Sequence, residues 1–182
     1  MADPSWPVWA TESVHVVPPN PRWPELAEAE AARVREALSH WLTGGVHHVG
    51  STSVPGLEAK PILDLLAGVR SLEVPARSAL EALGWHLVPP ELDGQPWRRF
   101  YVLPREDRRC AHLHLVVPGG PQWGAFLAFP QRLRDDASVR ERYAALKREL
   151  AERHRDDREA YTRGKADFIM GVLMGKPGPA GG

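Results

Sequence analysis

The sequence predicts an α/β domain of the α+β kind, a mixed β-sheet backed by helices with more helices at the C-terminal end. Three observations carry that reading. Short apolar runs of strand length, preceded by one helix start, occupy residues 14–117. Beyond Val117 the apolar spacing becomes helical, and helix and strands first with helices last is the order of such a sheet. A chain of 182 residues that is 43% hydrophobic and 25% charged is long enough for one core and lies in the ordinary globular range, and it shows no internal repeat.

The elements follow in order. Val14-His-Val-Val17 predicts a short strand. Pro24 with Glu25, Glu28 and Glu30 marks a helix start, Leu26, Val34, Leu38 and Leu42 give that helix an apolar stripe, and Gly44-Gly45 ends it. Val46 to Val49 reads as a strand, Gly50 to Lys60 as a loop, and Ile62 to Val69 as a buried strand with Asp64 as its one acid. Ser78 to Leu83 reads as the end of a helix closed by Gly84, and Trp85 to Val88, Arg99 to Leu103 and Cys110 to Val117 read as three more strands. Ser138-Val-Arg-Glu141 is a capping box, opening a helix with Val139, Tyr143, Leu146 and Leu150 on one face. A last helix carries Tyr161, Phe168, Ile169, Val172 and Leu173. The charges from Arg132 to Glu159 are interleaved in sign and read as a solvated helical surface. Residues 1–12, with Pro4 and Pro7, and the Gly- and Pro-rich residues 175–182 read as poorly ordered ends, leaving one domain over 13–174.

Composition excludes several classes. Lys+Arg and Asp+Glu both number 23, so nothing in the balance asks for a polyanionic partner, and nucleic acid is disfavoured. One cysteine, Cys110, forms no intrachain disulfide, and the start of the chain lacks a basic segment followed by an apolar run. A cytoplasmic protein without membrane spans is the expectation. Only four of the 23 basic residues are lysines, Lys60, Lys147, Lys165 and Lys176, and codon bias explains that ratio without explaining why one of them, Lys60, sits in a glycine- and proline-rich loop.

Gly50-Ser-Thr-Ser-Val-Pro-Gly-Leu-Glu-Ala-Lys-Pro-Ile-Leu-Asp64 is the informative segment. Small residues let a phosphate approach the backbone at Gly50, the hydroxyls of Ser51, Thr52 and Ser53 donate to its oxygens, Lys60 adds a point charge, and Asp64 holds a divalent metal. The spacing is not that of a Walker A loop, because Leu57-Glu58 follows Gly56 where Lys and Ser/Thr would be needed. On local chemistry alone a long turn in which Asp64 pairs with Lys60 is equally open. His112 and His114 alternate with Leu113 and Leu115, which puts both imidazoles on one face of a strand. The tryptophans, Trp6, Trp9 and Trp97 among them, and the helical Tyr143 and Tyr161 read first as packing residues.

His48-Val-Gly-Ser-Thr-Ser-Val-Pro-Gly-Leu-Glu-Ala-Lys-Pro-Ile-Leu-Asp-Leu-Leu66 resembles the signature of the GrpB family, a group of small nucleotidyltransferase-like proteins. Pro21-Arg-Trp-Pro24, Leu83-Gly-Trp85, His112-Leu-His-Leu-Val116, Leu133-Arg134, Tyr143-Ala-Ala-Leu-Lys147 and Tyr161-Thr-Arg-Gly-Lys165 extend the resemblance over residues 14–173. It implies a nucleotidyltransferase-like sheet. Such folds carry a Gly-Ser pair, an acid–apolar–acid triplet and a third acid on a neighbouring strand, so that two metals bind the triphosphate. Gly50-Ser51 and Asp64 fit that set. Leu66 stands where the second acid belongs, and the neighbouring strand offers His112 and His114 in place of the third. Either Asp64, His112 and His114 hold one metal together, or Asp64 alone carries Mg²⁺ while the histidines face phosphates; we take the second as the expectation. The Phe-Arg-Asp-Tyr-Leu-Arg usual in the family is Phe129-Pro-Gln-Arg-Leu-Arg134 here, so Pro130-Gln131 replaces an Arg-Asp pair and leaves Arg132 or Arg134 to meet an anion.

The expected function is therefore transfer of a phosphate-containing or activated acyl group from a nucleotide, ATP included, or another phosphorylated small molecule, assisted by Mg²⁺. Asp64, Lys60, His112 and His114 carry the chemistry, and Gly50 to Ser53 with Lys60, Arg98, Arg99, Arg109, Arg134, Lys147 and Lys165 hold the ligand. A non-catalytic nucleotide-binding module and a histidine-based hydrolase using Zn²⁺ or Mn²⁺ are the alternatives. The histidine-triad hydrolase reading fails, since Val116 occupies its third histidine position.

Overall fold

Pro24 lies in the first turn of helix α1 (Trp23–Ala37), where a missing N–H costs the helix nothing, and Trp23, Ala27, Ala31 and Val34 form its buried face. Leu26 of the expected stripe faces solvent. The helix stops at Ala37, and Leu42 already belongs to strand β1 (Leu42–Val49), so Gly44-Gly45 do not end a helix; they lie at an irregularity in β1. These coordinates, a computed structural model, describe residues 12–73 and 76–175 together with Pro7 and Trp9. Most of the two ends expected to be poorly ordered thus lies outside the described residues.

β1 is followed by a 3₁₀ turn (Ser51–Ser53) and by β2 (Leu63–Val69), then α2 (Arg77–Ala82), β3 (His86–Leu87), the one-turn α3 (Pro90–Asp93), β4 (Arg98–Arg105) and β5 (Arg108–Val116). The sheet order is β1-β2-β5-β4-β3, with β2 and β5 parallel and the other pairs antiparallel. This is the predicted mixed sheet. Leu63, Leu65, Ala67 and Val69 of β2 pack with Ala111, Leu113 and Leu115 of β5 against α1 and α2 in the main core. Period-two alternation then commits Asp64, Leu66, His112 and His114 to the opposite face. That face is covered by α4 (Pro121–Asp135) and the C-terminal helices α5 (Ala137–Arg153), α6 (Arg158–Arg163) and α7 (Ala166–Leu173).

Several elements differ from expectation for identifiable reasons. Val14–Val17 makes only a single bridge, Val17 to Ala59. α4 was hidden by Pro130, which sits inside it and removes one helical donor. The N-cap of α5 is Asp136, whose carboxylate accepts from the Val139 N–H at 3.0 Å, two residues ahead of the capping box read at Ser138. The last helix is two, because α6 ends at Gly164. Among the described residues no helix is long and apolar enough to cross a membrane.

Two close approaches shape the sheet. A Cβ on Gly68 would lie 2.6 Å from Gly44 Cα, and one on Gly44 would lie 2.8 Å from both the Pro118 ring and the Trp123 indole. The β4–β5 hairpin turns through Glu106 and Asp107, with φ of 50° and 58°, a left-handed pair that side chains resist. Replacing them with Asn-Gly should raise unfolding stability by ~1 kcal/mol in chemical denaturation and leave the rest of the sheet unchanged.

Candidate functional site

Parallel pairing of β2 with β5 sets Asp64 directly against His112. His112 Nδ1 lies 3.0 Å from Asp64 Oδ1, and His114 Nε2 lies 3.9 Å from the same oxygen. Burial alone would push the Asp64 carboxyl up, but hydrogen bonding from the two histidines outweighs it and holds the group well below the usual carboxylate range. Asp64 is therefore ionised, and His112 donates Nδ1–H to it. Burial also pushes His112 down to about 4, keeping the ring neutral, so its Nε2 carries a lone pair; that atom is buried without a hydrogen-bond partner.

The tautomer of His114 is fixed from the other side. Arg98 Nη1 lies 2.8 Å from His114 Nδ1, and a guanidinium can only donate, so the ring proton sits on Nε2, toward Asp64. Arg98 is itself held by Asp93 through Nε at 2.9 Å and Nη2 at 2.5 Å, and lies 4.5 Å from the Phe100 ring centre. Both histidines thus turn N–H groups to the carboxylate. Among the described residues no group of three or more His, Cys, Asp or Glu side chains is placed to hold a metal ion.

The loop that resembled a phosphate cradle packs against the carboxylate. Gly50 has φ 68°, and a Cβ there would lie 2.4 Å from Asp64 Oδ2, so both conformation and space require glycine. Thr52 Oγ1 accepts from His48 Nε2 at 2.9 Å and reaches the Ile62 carbonyl at 3.5 Å, tying the turn to the start of β2. Ser53 faces away from the cavity, donating to the Gly50 carbonyl at 2.8 Å and accepting from Arg134, whose guanidinium also bonds the Ser53 carbonyl. Arg134 is a brace for the turn in this geometry.

A cavity of about 490 Å³ opens over these groups. Of the residues expected at the site, Gly50, Ser51, Thr52, Lys60, Asp64, Arg98, Arg109, His112, His114, Lys147 and Lys165 line it; Ser53, Arg99 and Arg134 do not. Arg99 alternates to the other face of β4 and donates to the Arg98 carbonyl. Sequence reasoning missed Arg158, Phe100, Phe126 and Phe129, which also line the cavity. Arg158 and Lys147 fell in the charge run read as solvated surface, yet Lys147 is 1% exposed and donates to the Glu58 carbonyl. Tyr143, hydrogen-bonded to Ser51, and Tyr161 are packing residues that also line the wall.

Charge is lopsided here. Among the described residues that line the cavity, six basic side chains, Lys60, Arg98, Arg109, Lys147, Arg158 and Lys165, meet one carboxylate, Asp64. Burial first, and then neighbouring positive charge, pushes Lys60 and Lys147 down to about 7; burial pushes Lys165 down to about 8. Leu66, in the place of a second acid, is 0% exposed and packs with Val49 and Val116 under Trp97, Trp123 and Phe126.

Comparison with known proteins bears on the family and the fold. The GrpB protein family matches residues 13–174. A UPF0157 protein of Pseudomonas aeruginosa is 39% identical over 168 residues, spanning 89% of this chain and 67% of that one. A dephospho-CoA kinase of Mycolicibacterium paratuberculosis is 29% identical over 184 residues, and the match spans 88% of this chain but only 45% of the kinase. The crystal structure of GrpB from Enterococcus faecalis superposes with a TM-score of 0.78 at 30% identity, covering 88% of this chain and 96% of that one. The Cid1 poly(U) polymerase shares the fold at 12% identity, with a TM-score of 0.54 over 82% of this chain and 49% of that one.

Two outcomes follow. The lysines bind fewer protons in the folded chain than in the unfolded one, so without ligand their contribution to stability grows as pH rises from about 7 toward the unfolded value near 10.5. Melting temperature should accordingly rise between pH 7 and 9. Leu66→Asp should cost roughly 3 kcal/mol or more by denaturation, because it buries a carboxylate among apolar side chains.

Proposed function

We propose, for a chain that belongs to the GrpB family, that the cavity binds a nucleotide or another phosphorylated small molecule and transfers a phosphate-containing or activated acyl group from it. The observation that carries this reading is the set of six basic side chains around one ionised carboxylate in a partly open, partly aromatic cavity. Such a charge balance suits an anion with an organic body, and phosphates are the anions that lysines and arginines hold best. A nucleotidyltransferase-like fold and a relative named as a dephospho-CoA kinase point the same way.

Roles then follow from geometry. The 50–52 turn and the lysines hold phosphate oxygens. Of the two histidines, His114 has Nδ1 occupied by Arg98, which leaves the buried His112 Nε2 as the nitrogen with a free lone pair, and we assign it as the base for an acceptor hydroxyl that reaches it. Burial keeps His112 weakly basic, and an arriving phosphate's negative charge would draw it back up. Asp64 orients His112 and is the carboxylate to which Mg²⁺ would bind, with phosphate oxygens and water completing its shell. When bound, that ion would polarise the phosphoryl group under attack. A second reading, a nucleotide-binding module without turnover, is favoured by the buried Leu66.

Melting curves of the wild type and of Asp64→Asn, in EDTA and with Mg²⁺ plus ATP, test the assignment. The wild type should gain several degrees with Mg²⁺ and ATP, and Asp64→Asn should lose the Mg²⁺-dependent part together with any turnover. An equal response in both proteins would remove Asp64 from the site, and ligand stabilisation without turnover on any acceptor would favour the binding module.

A further inference from the structure

Two-ion phosphate sites place a second carboxylate beside the first, and here the corresponding position is sealed as well as changed. Leu66 is 0% exposed, does not line the cavity, and lies beneath Trp97, Trp123, Phe126 and Leu127. Cations face the ligand space instead. Lys60 Nζ and Lys165 Nζ stand 5.1 Å and 4.4 Å from the centre of the Tyr161 ring, and Lys147 Nζ stands 4.9 Å from that of Tyr143. Arg158 adds Nε and Nη1, both buried without a hydrogen-bond partner, while its Nη2 donates to the Glu12 carbonyl. Three of the chain's four lysines therefore converge on one cavity, in a chain whose habitual cation is arginine. A compact ammonium on a flexible stem fits beside another where two planar guanidiniums would crowd, and it meets phosphate as a point charge.

Resting on the phosphate-binding reading above, we infer that the cavity takes a chain of two or three phosphoryl groups, neutralised by Lys60, Lys147, Lys165 and Arg158 in place of a second metal ion. Protein cations supply the charge that a fixed ion supplies elsewhere, so the polyphosphate binds without any metal, and Mg²⁺ at Asp64 adds to the affinity.

Calorimetric titration of the full chain with orthophosphate, pyrophosphate and tripolyphosphate, each in EDTA, reads this directly. Affinity should rise roughly tenfold with each added phosphoryl group, as one more charge-assisted contact forms. Lys60→Met and Lys165→Met, shown by their melting curves to be folded, should each weaken tripolyphosphate roughly tenfold in EDTA. The wild-type series stands whether or not those variants fold. Tripolyphosphate binding that appears only once Mg²⁺ is added, or affinity that ignores the number of phosphoryl groups, would overturn this inference and leave phosphate binding standing. Failure of all three probes with and without Mg²⁺ would overturn both.

Discussion

A single ionised carboxylate on an otherwise apolar strand is the constraint on which the rest of the site depends. Leu63 and residues 65–69 of β2 are buried and carry no charge, and a carboxylate among them is tolerable only with hydrogen-bond donors at hand. The parallel neighbour β5 brings His112 and His114; Arg98 of β4 locks His114, and Asp93 of α3 locks Arg98. Each link satisfies a polar group that would otherwise be stranded in low dielectric, so the order of strands β2-β5-β4 is also the order of dependence in the site.

Much of this was legible because it lies in patterns short enough to read along the chain. An acid in an apolar run, two histidines spaced by one, and a small-residue loop between strands each follow from period two or from turn chemistry. What stayed hidden depends on distance along the chain. Arg158 lies 94 residues beyond Asp64, inside a tract of alternating charge whose inward and outward members look alike until α5 and α6 are folded back over the sheet. Arg134 was read as an anion ligand because it is cationic and close to a family motif, and the Ser53 carbonyl that it braces could not be seen from either. α4 was lost to Pro130 and the start of β1 to its glycines, where local propensity argues against the element and packing overrides it.

The fold is shared with a nucleotidyltransferase, the Cid1 poly(U) polymerase, while the residues at its centre differ from the acid set that the family resemblance implies. At the position where the family resemblance implies a second acid, the aliphatic Leu66 completes a small cluster with Val49 and Val116, and three of the six basic side chains that line the cavity come from the helical layer. The sheet contributes the carboxylate, the imidazoles, Arg98 and Arg109, the loop before β2 contributes Lys60, and α5, α6 and the start of α7 contribute Lys147, Arg158 and Lys165, so positive charge meets the carboxylate from both layers.

The contact of Gly44 with Gly68 has a consequence for how this molecule can change. An alanine at 68 would strike backbone, and one at 44 would strike the Pro118 ring and the Trp123 indole. Pro118 lies just ahead of Gly119 and Gly120, which lead into α4, and α4 supplies Phe126 and Phe129 to the cavity wall. The height of that wall above the sheet is thus set by two missing side chains in a remote corner. Mutational paths that alter the shape of the cavity are consequently of two kinds: substitutions at the lining itself, open one at a time, and a change of helix height, closed to any single step and open only to a lineage that alters Gly44 together with both Pro118 and Trp123.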